Sequence, residues 1–370
     1  MNSKERLIAA MKGETPDRVP VSTYELVGWN PDAWENKEPS YARLMDLIRR
    51  RTDCMYMCGV SVPNARREET TTSVTKWDDG GQHYVRTVYH AAGRDLVKVS
   101  SFSDDIHTVW AREHVCKDLD DLAAWLALPW APGEPDFTHL RKAWRDLAGG
   151  RGIPLVSMGD PLCELSELFE LGTFLVLAMT ETKTMTAALD QLHGRYVESL
   201  RRILTGPVKD VVFRICGPEY ATPPYLPPEL FRRFVTKYDR VYIDMIRAAA
   251  GIPRIHCHGK TARVIDQIAE IGPDALDPIE PPPDGDISVA DLKRRIGGRI
   301  CLTGGIELKH LEAADGDFIA ALVRDTLAAG KPGGRFILMP TAAPINVPLS
   351  PKTEANYFRF IETALEMAEY

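Results

Sequence analysis

"RIHCHGKTARVIDQIAEIGPDALDPIEPPP", residues 254–283, contains a strand, a helix and a second strand in close succession. The run "PRIHC" (253–257) reads as a short strand, ended by Gly259. Residues 260–271 then place apolar side chains at helical spacing, and "DALDP" (274–278) returns to an extended pattern. A strand, a crossover helix and a second strand in so short a span form the repeating unit of a parallel α/β sheet.

Working outward, the same rhythm occurs along most of the chain. Candidate strands are 19–24, 53–57, 154–158, 211–215, 253–257, 274–278, 299–303 and 335–339. Helical periodicity covers 228–250, 260–271, 287–296, 316–329 and 351–369. Eight strands with intervening helices point to a (β/α)8 TIM barrel, read as a single domain over 1–370. No G-x-G-x-x-G follows the first strand, which argues against a dinucleotide-binding sheet. One stretch breaks the pattern. Residues from about 67 to 115 read as strand pieces hinged at "DDGG" and "AAGR", an antiparallel meander inserted between the second and third barrel strands as a lid or side wall.

Composition narrows the class. Hydrophobic residues at 44% and charged residues at 26% match a soluble globular protein. A net charge of -7 supplies no basic face for nucleic acid. The N-terminus lacks the apolar core of a signal peptide, and "LGTFLVLAM" (171–179) is too short to span a bilayer. Seven scattered cysteines without a CxxC suit reduced thiols, so the expected location is cytoplasmic, with no membrane partner.

In such a barrel the chemistry gathers where strands end. Tyr24 and Glu25 follow the first expected strand, and Asp160 follows the third. Glu219 and Tyr220 follow the fourth, His256 and His258 the fifth, Asp277 and Glu280 the sixth, and Thr341 and Asn346 the eighth. On an extended chain positions i and i+2 share a face, so His256 and His258 point together and Cys257 points away to the helices. Two imidazoles with a carboxylate from the next strand suit Zn²⁺; the alternative is one core histidine and one loop histidine. The prolines of "ALDPIEPPP" hold Asp277 and Glu280 in a stiff loop, although Asp277 could equally serve loop amides. Asp160, just before a proline, reads both as a helix cap and as a proton carrier. Lys260 offers an anion contact or a solvated surface lysine.

"KERLIAAMKGETPDRVPV" (4–21), "IHCHGKTARVIDQIAEIGPDALDPIEP" (255–281), "GGRICLTGGIE" (297–307) and "GGRFILMPTAAPINVPLSPKTEANYFRFIETAL" (333–365) are similar to the uroporphyrinogen decarboxylase superfamily. The resemblance implies a (β/α)8 barrel, commonly a homodimer, with its site at the C-terminal mouth. The decarboxylase branch carries arginines after the first strand, whereas "STYELVGWNPDAWENKEP" (22–39) has none, and the mouth residues read as acidic. The other branch consists of zinc methyltransferases that work with corrinoid (cobalamin) cofactors or corrinoid proteins. His256 matches its histidine ligand, His258 stands at the first cysteine position, and the second cysteine falls near Ala342.

The metal set implied is therefore His256 and His258 with Glu280 or Asp277, harder than the usual thiolate set and open to an oxygen ligand. The expected activity is transfer of a methyl group between a small, methoxylated substrate and a corrinoid. Asp160, Glu219 and Tyr24 are the expected catalytic groups; Tyr24, Glu25, Tyr220 and Asn346 the expected substrate contacts. The alternatives are a decarboxylase-like lyase on a carboxylated substrate and a non-catalytic small-molecule-binding barrel.

Overall fold

The computed structural model describes residues 1–91 and 93–370. Its strands in chain order are β1 (Cys54–Cys58), β2 (Thr72–Asp79), β3 (Gln82–Ala91), β4 (Arg94–Ser103), β5 (Ile106–Glu113), β6 (Gly152–Gly159), β7 (Val212–Cys216), β8 (Ile252–His256), β9 (Ala275–Ile279), β10 (Cys301–Ile306) and β11 (Phe336–Pro340). β1 and β6 to β11 form one parallel sheet in the order β1-β6-β7-β8-β9-β10-β11, with helices between successive strands. β2 to β5 form a separate antiparallel sheet.

The expected first strand, 19–24, is the main departure from the eight-strand expectation. Pro20 has no N–H to give to a ladder, and Tyr24 turns to φ 55°, so the segment does not extend as a strand. It still links the two edges of the sheet. Ser22 N donates to Leu338 O and Leu338 N to Pro20 O on the β11 side, while Asp53 N donates to Val21 O beside β1. The buried Asp53 carboxylate ties the segment down, accepting from Val21 N at 3.0 Å and pairing with Arg6 and Arg18 at 2.7 and 2.9 Å. The molecule is thus an α/β protein with seven parallel strands, whose eighth element is reduced to a short bridge.

The inserted sheet follows β1 and precedes β6, where the meander was expected. Its first hairpin turns at Gly80 and Gly81, both at positive φ (54° and 79°), which is the backbone a two-residue turn between twisted strands requires. The second expected hinge, "AAGR", includes Ala92 and so lies partly outside the described residues. The β4–β5 end leans on the loop after β11: His107 N donates to Ile345 O and Val347 N to Asp105 O.

The expected helix over 228–250 is interrupted, with a π-helical stretch at Arg232–Thr236 between Pro228–Phe231 and Lys237–Ala248. Such wide turns shift the register of the residues that follow. Here the following turn carries Asp239 into the core. Among the described residues no helix is long and apolar enough to cross a membrane.

Strand alternation stacks the interior in layers. The lowest is apolar: Met55, Leu155, Val212, Ile252, Ala275, Cys301 and Ile337 pack together and are floored by Leu7, Ala10 and Met11 of the N-terminal helix Ser3–Lys12. Two residues further along each strand, the same face carries Ser157, Arg214, Arg254, Asp277 and Thr303. A charged layer therefore lies on an apolar one, just below the strand ends.

Candidate active site

The charged layer consists of two guanidiniums around one carboxylate. Arg214 and Arg254 are register partners on β7 and β8, and both are buried. Arg254 Nε lies 2.7 Å from Asp277 Oδ1, and its Nη2 donates to Oδ2 at 3.1 Å. Burial alone would raise the Asp277 carboxyl, but the charges of Arg254 and Arg214 and the hydrogen bond from His256 hold it well below the usual carboxylate range. Arg214 Nε stands 3.8 Å from the same carboxylate and finds no hydrogen-bond acceptor. Its Nη2 donates to the Tyr24 hydroxyl, and its Nη1 donates to Ser157 Oγ at 3.4 Å and faces Glu25 Oε1 at 3.6 Å. Glu25 is a loose counterion, its side chain 45% exposed. A largely buried cation therefore lies under the mouth, with its two carboxylate partners at 3.6 and 3.8 Å rather than in close hydrogen-bonded pairs.

His256 belongs to this layer. Arg214 Nη2 lies 2.9 Å from His256 Nε2, and Asp277 Oδ2 lies 3.1 Å from Nδ1. A guanidinium only donates, so Nε2 accepts and Nδ1 carries the proton that goes to Asp277. Burial keeps the imidazole neutral, pulling its pKa down to about 4. His258 falls beyond β8 rather than on it. The two rings meet edge to face with centroids 4.6 Å apart, yet the His258 side chain is 39% exposed and has a different partner. Its Nδ1 is 2.8 Å from Glu280 Oε1, whose other oxygen accepts from Gly259 N at 2.6 Å. Burial would lower His258, but the hydrogen bond and charge of Glu280 lift it above the ordinary histidine value.

This geometry divides the expected zinc ligands. His256 has both nitrogens engaged, one by an arginine, and Asp277 is bound up with Arg254. Only His258 and Glu280 pair at the surface of the mouth. Among the described residues no three His, Cys, Asp or Glu side chains are disposed to hold a metal ion. As held here, His256 Nε2 and the Asp277 carboxylate are taken up by Arg214 and Arg254, so the four expected ligands do not converge on one point.

Two further acids complete the mouth. Glu219 accepts from Gly217 N at 3.0 Å, and burial raises its pKa while the neighbouring His258 and Arg214 charges lower it. Glu307, at the end of β10, is buried and accepts from Thr341 Oγ1 at 3.0 Å. Burial, followed by the charge of Glu280, raises it to about 7. A cavity of about 200 Å³ opens here, bounded by Glu219, His258, Lys260, Tyr225 and Asp284. Lys260 is exposed and precedes only a short 3-10 turn, Thr261–Arg263.

The remaining expected residues lie elsewhere. Asn346 is exposed; its carbonyl accepts from Tyr41 at 2.9 Å and it bridges to Ile106 of the inserted sheet. Tyr220 donates to Glu167 at 3.4 Å, on the side of helix Pro161–Glu167. Cys257 is buried against Thr222, its Sγ 3.1 Å from Oγ1, facing outward as strand alternation requires. Asp160 caps helix Pro161–Glu167, accepting from Cys163 N at 2.7 Å, and is fully buried.

Asp160 also adjoins the fully buried Asp239. Asp160 Oδ2 and both Asp239 oxygens have no other partner, so a proton held between the carboxyls is what satisfies them. Gly217, at φ 135°, lets the loop that carries Glu219 cross this pair: a Cβ there would come 1.9 Å from Asp160 Oδ1. Burial raises Asp239 to about 8 and, with the Asp239 charge, lifts Asp160 well above the carboxylate range. Both groups bind protons more tightly folded than unfolded. The stability they contribute is complete below the ordinary carboxylate range and is lost as pH rises through about 8. Asp239→Asn, which keeps a donor in place at every pH, is expected to flatten the fall in Tm between pH 6 and 9. Parallel Tm curves for variant and parent would show that the pair carries no proton.

A charged layer beneath acid–base groups at the carboxyl ends of parallel strands is the layout of an α/β barrel-type active site. The chain belongs to the uroporphyrinogen decarboxylase (URO-D) family, whose pattern matches residues 158–358 and so takes in β7 to β11 and every mouth residue except Tyr24 and Glu25. Among solved structures it is similar to a methyltransferase from Methanosarcina mazei, with a TM-score of 0.62 and 16% identity over 99% of both chains. A GH5-4 endoglucanase from Bacteroides salanitronis aligns at a TM-score of 0.33 and 9% identity, over 71% of this chain and 79% of that one. That likeness is too weak to bear on the fold. No curated protein matches the sequence.

Sequence reasoning missed Arg214, Arg254, Asp239 and Glu307. The arginines were visible as lone charges inside the apolar runs "VVFRIC" and "IPRIHC". Glu307 was visible as the first carboxylate after "LTGG".

Proposed function

We propose that this chain is a methyl-transferring enzyme whose substrate is a small methyl ether bearing an anionic group. The observation that carries the reading is the buried Arg214 guanidinium, with Glu25 and Asp277 only at 3.6 and 3.8 Å, under a mouth that holds protonatable carboxyls. Arg214, steadied by Tyr24 and His256, would anchor the anion in place of the loosely held Glu25. Breaking the methyl–oxygen bond leaves an alkoxide or phenoxide that needs a proton. Glu307, titrating near neutrality, and Glu219 are the proposed donors, and the His258–Glu280 pair would return the proton from solvent. The methyl group leaves to a nucleophilic acceptor, for which a corrinoid carried by a partner protein is the proposed class. That corrinoid would be a second substrate. Each turnover consumes one proton and gives the demethylated hydroxyl compound and the methylated acceptor. The family relationship and the Methanosarcina mazei neighbour support this reading. The zinc once expected at His256, His258, Asp277 and Glu280 is not required by any of these steps.

The same arginine supports a second reading, decarboxylation of a small carboxylate, in which Arg214 binds a carboxylate and Glu307 protonates the carbanion. One assay separates the two. The protein is incubated with 4-methoxybenzoate and a reduced corrinoid, and the corrinoid spectrum is followed together with release of CO2. Methyl transfer gives a methylcorrinoid spectrum and 4-hydroxybenzoate. CO2 release with an unchanged corrinoid would replace it by the second reading, and neither product across a panel of carboxylated methyl ethers would overturn both. In the same preparation, metal analysis is expected to find zinc well below one per chain. Stoichiometric zinc that is lost in His258→Ala would contradict the division of ligands described above.

A further inference from the structure

A second cavity, of about 400 Å³, lies between the inserted sheet and the flank of the parallel sheet. Strand alternation builds one wall: Thr72 and Val74 on β2 and their cross-strand partners Tyr89 and Thr87 on β3 share a face. The opposite wall is aromatic. Trp125 meets Tyr89 edge to face with centroids 5.1 Å apart, and Trp130 lies beneath the Arg195 guanidinium at 5.7 Å. Val74 is left 57% exposed toward this space, and neither tryptophan is fully covered.

The polar equipment is specific. Arg195, on helix Thr182–Ile203, donates one Nη2 hydrogen bond to Leu126 O at 2.7 Å. Among the described residues it has no carboxylate within ion-pair distance, so its remaining donors are open to the cavity. Glu164 is the acidic group that faces it. Its carboxyl accepts from Trp125 Nε1 at 3.5 Å; burial raises its pKa, against the Trp125 hydrogen bond and the Arg195 charge, which lower it. Arg67 adds a second cation at the rim. Two tryptophans and a tyrosine beside two cations, Arg195 and Arg67, set against the single carboxyl of Glu164, favour a flat ring carrying a negative charge over a neutral or cationic ligand.

We propose that this cavity is a binding site for a planar aromatic carboxylate, with the ring against Trp125 and Trp130 and the carboxylate on Arg195. It is separate from the mouth at His258. A neighbouring cavity of about 360 Å³ shares Tyr89, Trp125 and Glu164 and reaches Gly159 and Cys163, next to the Asp160 cap. A ligand seated here thus abuts the element that carries Asp160 without touching the mouth residues.

The test uses the full-length protein, its intrinsic tryptophan fluorescence and two probes, 2-naphthoate and the neutral 2-naphthamide. Saturable quenching by 2-naphthoate is expected, with 2-naphthamide weaker by about tenfold or more, the scale of a hydrogen-bonded charge. Arg195→Met should remove most of that difference, Val74→Trp should block both probes by filling the space, and His258→Ala should leave binding unchanged. Val74 is exposed, so the filling variant reports even where Arg195→Met fails to fold. Equal affinity for the two probes, no saturable quenching at millimolar 2-naphthoate, or loss of binding in His258→Ala would each overturn the assignment.

Discussion

Replacing Arg254 by methionine is expected to cost about 3–5 kcal/mol of folding stability, the usual penalty for leaving one member of a buried ion pair alone. Arg254 and Asp277 are both buried, and the guanidinium cannot be reached by solvent that might relieve its partner. In the variant, Asp277 would keep His256 and the more distant Arg214, and His256 would have to take a proton to compensate. The loss should therefore be smaller in mild acid than at neutral pH, since protonated His256 supplies a replacement charge. Chemical denaturation at pH 5.5 and 7.5 measures both effects. The double change Arg254→Met with Asp277→Leu should recover much of the loss by removing the stranded carboxylate. A single-variant loss below about 1 kcal/mol would mean that Arg214 alone neutralises Asp277.

Glu307→Gln carries the largest expected effect on activity. A positioned general acid contributes about 10²–10⁴-fold to rate, and a group titrating near 7 is well matched to neutral conditions. The parent enzyme should lose turnover as pH rises through about 7, where Glu307 gives up its proton. Glu307→Gln should lose that limb of the profile along with most of the rate, while KM changes little because the proposed anchor of the substrate is Arg214, not Glu307. A variant that keeps both its rate and the limb would move the acid role to Glu219. The substitution is isosteric, and the Thr341 hydrogen bond can persist to the amide oxygen, so folding should be retained.

Much of this arrangement was legible before any coordinates. The α/β rhythm, the inserted antiparallel sheet, the outward Cys257 and the gathering of Tyr24, Glu25, Glu219, the histidines, Asp277 and Glu280 near the strand ends all follow from period-two alternation and from turn residues. The first expected strand was over-read at 19–24, because apolar character there outweighed the missing N–H of Pro20 and the left-handed turn at Tyr24. The mouth was also read as dominated by acids, joined by two histidines. Counting carboxylates in the loops misses charges held on strands, and Arg214 and Arg254 lie inside the apolar runs that were taken only as core.

The sequence by itself determined which face of each strand a residue occupies and which loops carry acids, because those depend on local backbone geometry and spacing. Only the tertiary structure decided who meets whom. Register sets Arg214 beside Arg254 and His256 beside Asp277, and closure of the sheet brings Tyr24 onto Arg214 across 190 residues of chain. The same histidine pair therefore reads as a metal motif along the chain and as two different hydrogen-bonded acids and bases in space. Electrostatic partners are fixed by distances of a few ångströms, and no one-dimensional spacing encodes those once the contacts lie on different strands.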